Sequence, residues 1–178
     1  MENNTNKMKP RTCSESYAEM TELVMPNDTN MIFNLMGGQL MRWMDVVAAI
    51  SAQRHSNRFV VTASVDNVSF KEPIKLGNVV TLKAKVTRAF HTSMEVHIEV
   101  WSEDVPAMRK YRSNEAYFTF VALDEQGKPV PVPPVIPESE IEKTMYETAL
   151  NRREIRLVLA RKMKPSEAKG LKALFDLL

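Results

Sequence analysis

Asp45 stands in the middle of "NLMGGQLMRWMDVVAAISAQRH" (Asn34–His55), an otherwise largely apolar run. A carboxylate taken out of water is costly unless it is paired, hydrogen-bonded or chemically used. Two chemistries suit it: taking a proton from an attacking water, or attacking a carbonyl itself to form a mixed anhydride. Its apolar neighbours would strip it of water, which favours the base. The competing reading is an ion pair with Arg42, three residues earlier, and the residue pattern alone leaves both open. Asn34, by residue type alone, reads as a helix-entry or turn residue. Gly37 and Gly38 follow it. At the start of a helix they would present free N–H groups and a positive dipole end to a developing oxyanion, with no Cβ to keep a carbonyl away. Tight packing of the helix is the compatible structural reading.

The elements that must position these groups follow from spacing. From Gly38 to His55 there is no proline, and helix formers dominate. At 100° per residue Gly38, Arg42, Asp45, Ala49 and Gln53 fall on one narrow stripe, and apolar residues take most of the rest. That predicts a helix buried nearly all round. "CSESYAEMTELVM" (Cys13–Met25) reads as a first strand and "PNDTN" (Pro26–Asn30) as a turn. Strands are expected over Arg58–Asp66, Val79–Phe90, "TSMEVHIEVWSE" and Asn114–Asp124, with Phe70–Asn78 as a connection. In "TSMEVHIEVWSE", Met94, Val96, Ile98 and Val100 alternate with Glu95, His97 and Glu99, so one face should be packed and the other wet. "KPVPVPPVIP" (Lys128–Pro137) excludes a central strand or helix and reads as an extended linker. The expected organisation is a flexible tail over 1–12, a domain over 13–127, the linker over 128–137 and a helical extension over 138–178. One apolar helix followed by a meander suggests a sheet curled around that helix, with edges open to pairing between subunits.

Bulk composition narrows the classes. A chain of 178 residues, 44% hydrophobic, can bury one core without staples, and a formal charge of +2 makes no case for nucleic acid. The single Cys13 cannot close an internal disulfide, and no Cys/His cluster has zinc-ligand spacing. "MENNTNKMKPRT" lacks the apolar core of a signal peptide, and no stretch approaches the roughly 20 apolar residues of a membrane-spanning helix. The expected location is the cytoplasm, with no metal and no membrane partner.

Four consecutive stretches resemble the hot-dog-fold acyl-CoA thioesterases, both the bacterial single-domain hydrolases and their tandem-domain cytosolic relatives in animals. They are "DTNMIFNLMGGQLMRWMDVVAAISAQRH", "VTASVDNVSFKEPIKLGNVV", "TSMEVHIEVW" and "AYFTFVALDEQGKPVPVP". The match runs from about Tyr17 to Pro133. The resemblance implies an α+β hot-dog fold, a long central helix wrapped by a curved antiparallel sheet, here with a helical C-terminal extension. It implies dimers sharing one continuous sheet, assembled further as trimers of dimers, with active sites at the subunit interface. The implied reaction is hydrolysis of acyl-CoA to fatty acid and CoA, with coenzyme A as part of the substrate and no separate cofactor. Asp45 then falls at the family's acidic helix position, and Asn34 of one subunit would face Asp45 of the other. Thr92 and Ser93 would lie along the pantetheine arm, and Arg54, Arg58 and Lys71 are the nearby cations for the CoA phosphates. His55 reads as a hydrogen-bonded helix-end residue, while His91 and His97 have no partner motif. Two rivals stay open: a non-catalytic acyl-CoA sensor, and a hot-dog enoyl-thioester hydratase. The hydratase needs a histidine paired with the acid, and none occurs between Asn34 and Gln53.

Overall fold

Local sequence accounts for where each element starts and stops. The computed structural model describes residues 8–66, 68, 72–168 and 170, so the ends of the expected tail and of the helical extension lie outside the described residues. It comprises two compact units, Met1–Ile136 and Pro137–Leu178. In the first, strand β1 (Arg11–Thr12) pairs in parallel with Val135 and Ile136. The expected first strand over 13–25 is divided. Ser14–Ser16 forms a 3-10 turn, because the buried Ser16 hydroxyl donates to the Cys13 carbonyl and accepts the Val86 N–H. Strand β2 then covers Ala18–Leu23, and Pro26–Asp28 is a second 3-10 turn.

Helix α1 spans Gly37–Ser56 and ends at Asn57, a left-handed residue (φ 51°) whose N–H returns to the Gln53 carbonyl. Strands β3 (Phe59–Val65), β4 (Val79–Ala89), β5 (Ser93–Asp104) and β6 (Arg109–Leu123) follow, and Val135–Ile136 is β7. The antiparallel sheet runs β2-β4-β5-β6-β3, which leaves β3 at an edge. Leu82, Ala84 and Val86 pair across to Val100, Ile98 and Val96, and the last two of these to Ala116 and Phe118 on β6, so one face is a continuous apolar surface. All of these side chains are buried, as are Leu40, Met44, Val47 and Ala48 on the facing side of α1. Each fully buried large side chain of this kind contributes about 1.5–3 kcal/mol. This is the hot-dog arrangement of a curled antiparallel sheet and a long helix.

Two expectations need correction. The second face of β5 is not wet: Glu95 and His97 are buried. A neighbouring hydroxyl takes the place of water at Glu95. Thr87, at an irregularity between Val86 and Arg88, donates its hydroxyl to Glu95 Oε1 at 2.8 Å, and His97 stacks on Tyr117 with ring centroids 4.9 Å apart. Nor is α1 buried all round: Val46 and Ile50 stay 39% and 38% exposed on the same side as Arg42 and Gln53.

The proline-rich segment is hydrogen-bonded to the sheet. Val130 N–H donates to the Ala122 carbonyl and Val132 N–H to the His91 carbonyl, ahead of β7. In the second unit, α2 (Glu140–Leu159) starts at a capping box in which Ser139 Oγ accepts Glu142 N–H and the Glu142 carboxylate accepts Ser139 N–H. Among the described residues no helix is long and apolar enough to cross a membrane.

Candidate active site

Asp45 is half-buried on α1 and does not pair with Arg42. Its Oδ1 accepts the hydroxyl of Thr62 on β3 at 2.6 Å, a short charge-assisted bond. Arg42 turns instead to Gln39, donating from Nε to Oε1 at 3.2 Å. The register explains why Thr62 can reach. It stands opposite Phe120, which stands opposite Met94, and this row lies on the helix-facing side of the sheet. An irregularity between Thr62 and Ser64 follows at once, so the pleat changes just beyond the residue that holds the carboxylate.

The loop before α1 is folded on itself. Asn30 Oδ1 accepts the N–H groups of Ile32 and Asn34, both at 3.1 Å, and Asn30 N–H donates to the Asn34 carbonyl. Leu35 N–H donates to the Ile74 carbonyl at 2.7 Å and Leu76 N–H to the Phe33 carbonyl. Phe33 sits at φ 57°, a region that bulky residues avoid. This loop brings Asn34 to a cavity of about 380 Å³, shared with Gly37, Leu40, Pro73, Ile74 and Asn114. The Asn34 side-chain amide makes no hydrogen bond to the described residues, so both its donor and its acceptor are available to a ligand.

Gly37 and Gly38 form the first turn of α1. Met36 precedes them in an extended conformation with no side chain capping the helix, so the leading N–H groups are open. A Cβ built on Gly38 would meet nothing within 4 Å, so packing within this chain does not demand glycine there. The space is open to a ligand or a second chain. Asp45 lies eight residues after Gly37. That is about 12 Å along the axis. Along one helix the carboxylate and the open N–H groups are therefore about two turns apart.

The remaining candidates lie apart. Arg54, in the last turn of α1, donates its guanidinium to the Tyr17 carbonyl, and its own carbonyl accepts Arg11 Nη1. Arg58 lines a second cavity of about 400 Å³ beside Phe59, Asp124 and Glu125, so two carboxylates share that space with it. Thr92 and Ser93 are half-buried at the start of β5, where the Thr92 carbonyl accepts Ala122 N–H. Lys71 lies outside the described residues. His55 is buried, with Nε2 2.8 Å from the Pro133 carbonyl, and desolvation holds its pKa below the usual histidine value. Burial lowers His97 likewise, against the opposing carboxylates of Glu99 and Glu115. His91 is exposed. Sequence reasoning missed Thr62, for which no spacing rule exists. It also missed Asn30, which it read only as part of a turn.

The profile of the Thioesterase superfamily matches residues 34–108. An uncharacterized acyl-CoA thioester hydrolase of Bacillus subtilis is 44% identical over 142 residues, covering 80% of this chain and 83% of the relative. The cytosolic acyl coenzyme A thioester hydrolase of Rattus norvegicus is 38% identical over 81% of this chain, which spans only 38% of that relative. Among solved structures, an acyl-CoA hydrolase from Bacillus cereus superposes with a TM-score of 0.83 at 38% identity, covering 96% of this chain and 99% of that one. An acyl-CoA hydrolase from Staphylococcus aureus, solved with butyryl coenzyme A and coenzyme A, superposes with a TM-score of 0.79 at 40% identity, covering 86% and 96%. That enzyme has also been solved with alanine replacing, one at a time, an asparagine, an aspartate and a threonine that follow one another in that order. A hexameric acyl-CoA thioesterase, 40% identical, superposes with a TM-score of 0.83 over 86% of this chain and 98% of that one.

Proposed function

The chain belongs to the thioesterase superfamily, and we propose that it is an acyl-CoA thioesterase that works as a dimer. Asp45 acts as the general base. It takes a proton from water as the water oxygen attacks the thioester carbonyl. The resulting oxyanion is held by the N–H groups of Gly37 and Gly38. The C–S bond then breaks, the protonated Asp45 returns its proton to the thiolate, and fatty acid and CoA leave. The single observation that carries this reading is the Asp45–Thr62 bond in place of an Asp45–Arg42 pair. A carboxylate with one oxygen fixed by a hydroxyl keeps the other free to accept a proton. An ion pair would have needed no Thr62.

The spacing in the Staphylococcus aureus variants supports the same residues. Asn30, Asp45 and Thr62 are separated along this chain by the same intervals as the asparagine, aspartate and threonine replaced in that enzyme. Asn30 orders the loop through its Oδ1, and Asn34 offers its free amide to the water or the carbonyl. Asp45 of one subunit serves the helix start of the other, as its own helix start lies about 12 Å away along the axis. The β3 edge fits that pairing: Phe59, Val61 and Val65 are 68%, 47% and 40% exposed, on a strand that ends the sheet. An isologous β3–β3 contact joins two sheets into one. Assembly into trimers of dimers, a cytoplasmic location and contact of Thr92 and Ser93 with the pantetheine arm belong to the same reading. Arg58 is the cation offered to the CoA phosphates, with Arg54 secondary because Tyr17 already holds it.

The test is CoA thiol release from acyl-CoA thioesters of graded chain length, with Asp45→Ala, Asn34→Ala, Asn30→Ala and Val61→Lys in parallel. Asp45→Ala should lose at least a thousandfold in kcat, and Val61→Lys should sediment as a monomer and be inactive. Undiminished hydrolysis by Asp45→Ala overturns the mechanism. Tight acyl-CoA binding without hydrolysis by the wild-type chain favours the sensor.

A further inference from the structure

The geometry points to Asp28 and Gln39 as positioning residues that set the open helix start against the asparagine loop, a role that rests on the thioesterase reading. The first turn of α1 contains no acidic residue, and Met36 cannot cap it. A Ser, Thr or Asp at that position would cap the helix by occupying its leading N–H groups. Asp28, eight residues before Met36, binds around those groups. Its backbone carbonyl accepts Met36 N–H at 2.9 Å, and its Oδ1 accepts Gln39 Nε2 at 2.8 Å. Its Oδ2 accepts Met25 N–H at 2.9 Å, so both carboxylate oxygens are occupied. Gln39 in turn accepts Arg42 Nε, which places a cation at the far end of the chain of bonds from the Asp28 charge.

This arrangement ties both ends of the loop to one residue. Thr29 bridges Leu35 just inside the Asp28–Met36 bond, and the Asn30–Asn34 bonds lie within that ring. The side chain of Asp28 reaches past the ring to the third residue of the helix. Backbone bonds close this ring, and the Asp28 carboxylate, which touches neither substrate nor reacting atoms, is what ties the ring to the first turn of α1 at Gln39. A misplacement of about 1 Å in such a frame costs on the order of a hundredfold in rate.

The experiment compares Asp28→Asn, Gln39→Leu, Gln39→Glu and the double variant Asp28→Asn/Gln39→Glu in the full-length protein. In Asp28→Asn either one of the two N–H donors meets an NH2 group or Gln39 turns its amide over and sets its own NH2 against Arg42 Nε. In Gln39→Glu two carboxylates face each other. The double variant restores the bond with donor and acceptor exchanged, while the amide oxygen introduced by Asp28→Asn still accepts Met25 N–H. Each single variant should lose tenfold or more in kcat with KM within threefold of wild type, and the double variant should recover to within threefold in kcat. Hydrogen exchange of the Gly37–Leu40 amides should speed up in the single variants and return in the double. Single variants with wild-type kcat, or a double variant no better than Asp28→Asn, overturn the assignment. An inactive wild-type protein overturns the thioesterase reading instead, and the exchange rates then decide the positioning role by themselves.

Discussion

Replacing Thr62 by Val removes one hydroxyl and nearly nothing else, so it isolates the bond that separates a working carboxylate from a merely tolerated one. The Thr62 hydroxyl lies 2.6 Å from Asp45 Oδ1. Hydrogen bonds to charged groups contribute about 1.5–3 kcal/mol when shielded. Thr62 is exposed and Asp45 only half-buried, so solvent competition lowers the expected share to about 1–2 kcal/mol. If that bond orients the carboxylate toward the water, its loss appears in the barrier as a drop in kcat of roughly five- to thirtyfold. KM should change less than twofold, because the hydroxyl faces the carboxylate and not the substrate. The melting temperature should fall by no more than a few degrees, since Val suits a strand at least as well as Thr. The assay is CoA release under saturating acyl-CoA, run as a cycle with Asp45→Ala. In the absence of the carboxylate the Thr62 hydroxyl has nothing to orient, so Thr62→Val should add no further loss there. Wild-type kcat in Thr62→Val, or the same fractional loss with and without Asp45, refutes the reasoning.

Two further outcomes follow from the loop and the core. Phe33 holds a left-handed backbone that costs a bulky residue roughly 1–2 kcal/mol, so Phe33→Gly should raise the thermal midpoint and Phe33→Val lower it; a fall with glycine contradicts the strain. His55 is held below its unfolded pKa by burial, so its contribution is fully present above about pH 6.5 and is lost as pH falls through the lower folded value. Urea midpoints should therefore drop on acidification below about pH 6.5 more steeply in the wild-type protein than in His55→Gln; equal slopes exclude the buried histidine as the cause.

What the chain encodes locally was legible. A run without proline and with 3.6-residue periodicity is a helix wherever it sits, and α1 occupies Gly37–Ser56 as that pattern requires. Alternation of Met94, Val96, Ile98 and Val100 marks the packed face of β5 in any sheet, and all four are buried. The position of Asp45 on the polar stripe was equally readable, because it depends only on helical geometry. Its partner was not. Arg42 is the neighbour that helical spacing offers, yet Thr62, on a strand that follows the helix, holds the carboxylate. That contact depends on the register of β3 on β6 and on how the sheet curls over α1. The same holds for Glu95 and His97, which alternate like solvent-facing residues but are buried among polar neighbours. Val46 and Ile50 show the converse, apolar side chains that one chain leaves uncovered. Periodicity is a property of a single backbone and can be read along it. Which side chain meets which between separate elements is decided by strand register and packing, and those exist only once the whole chain has folded.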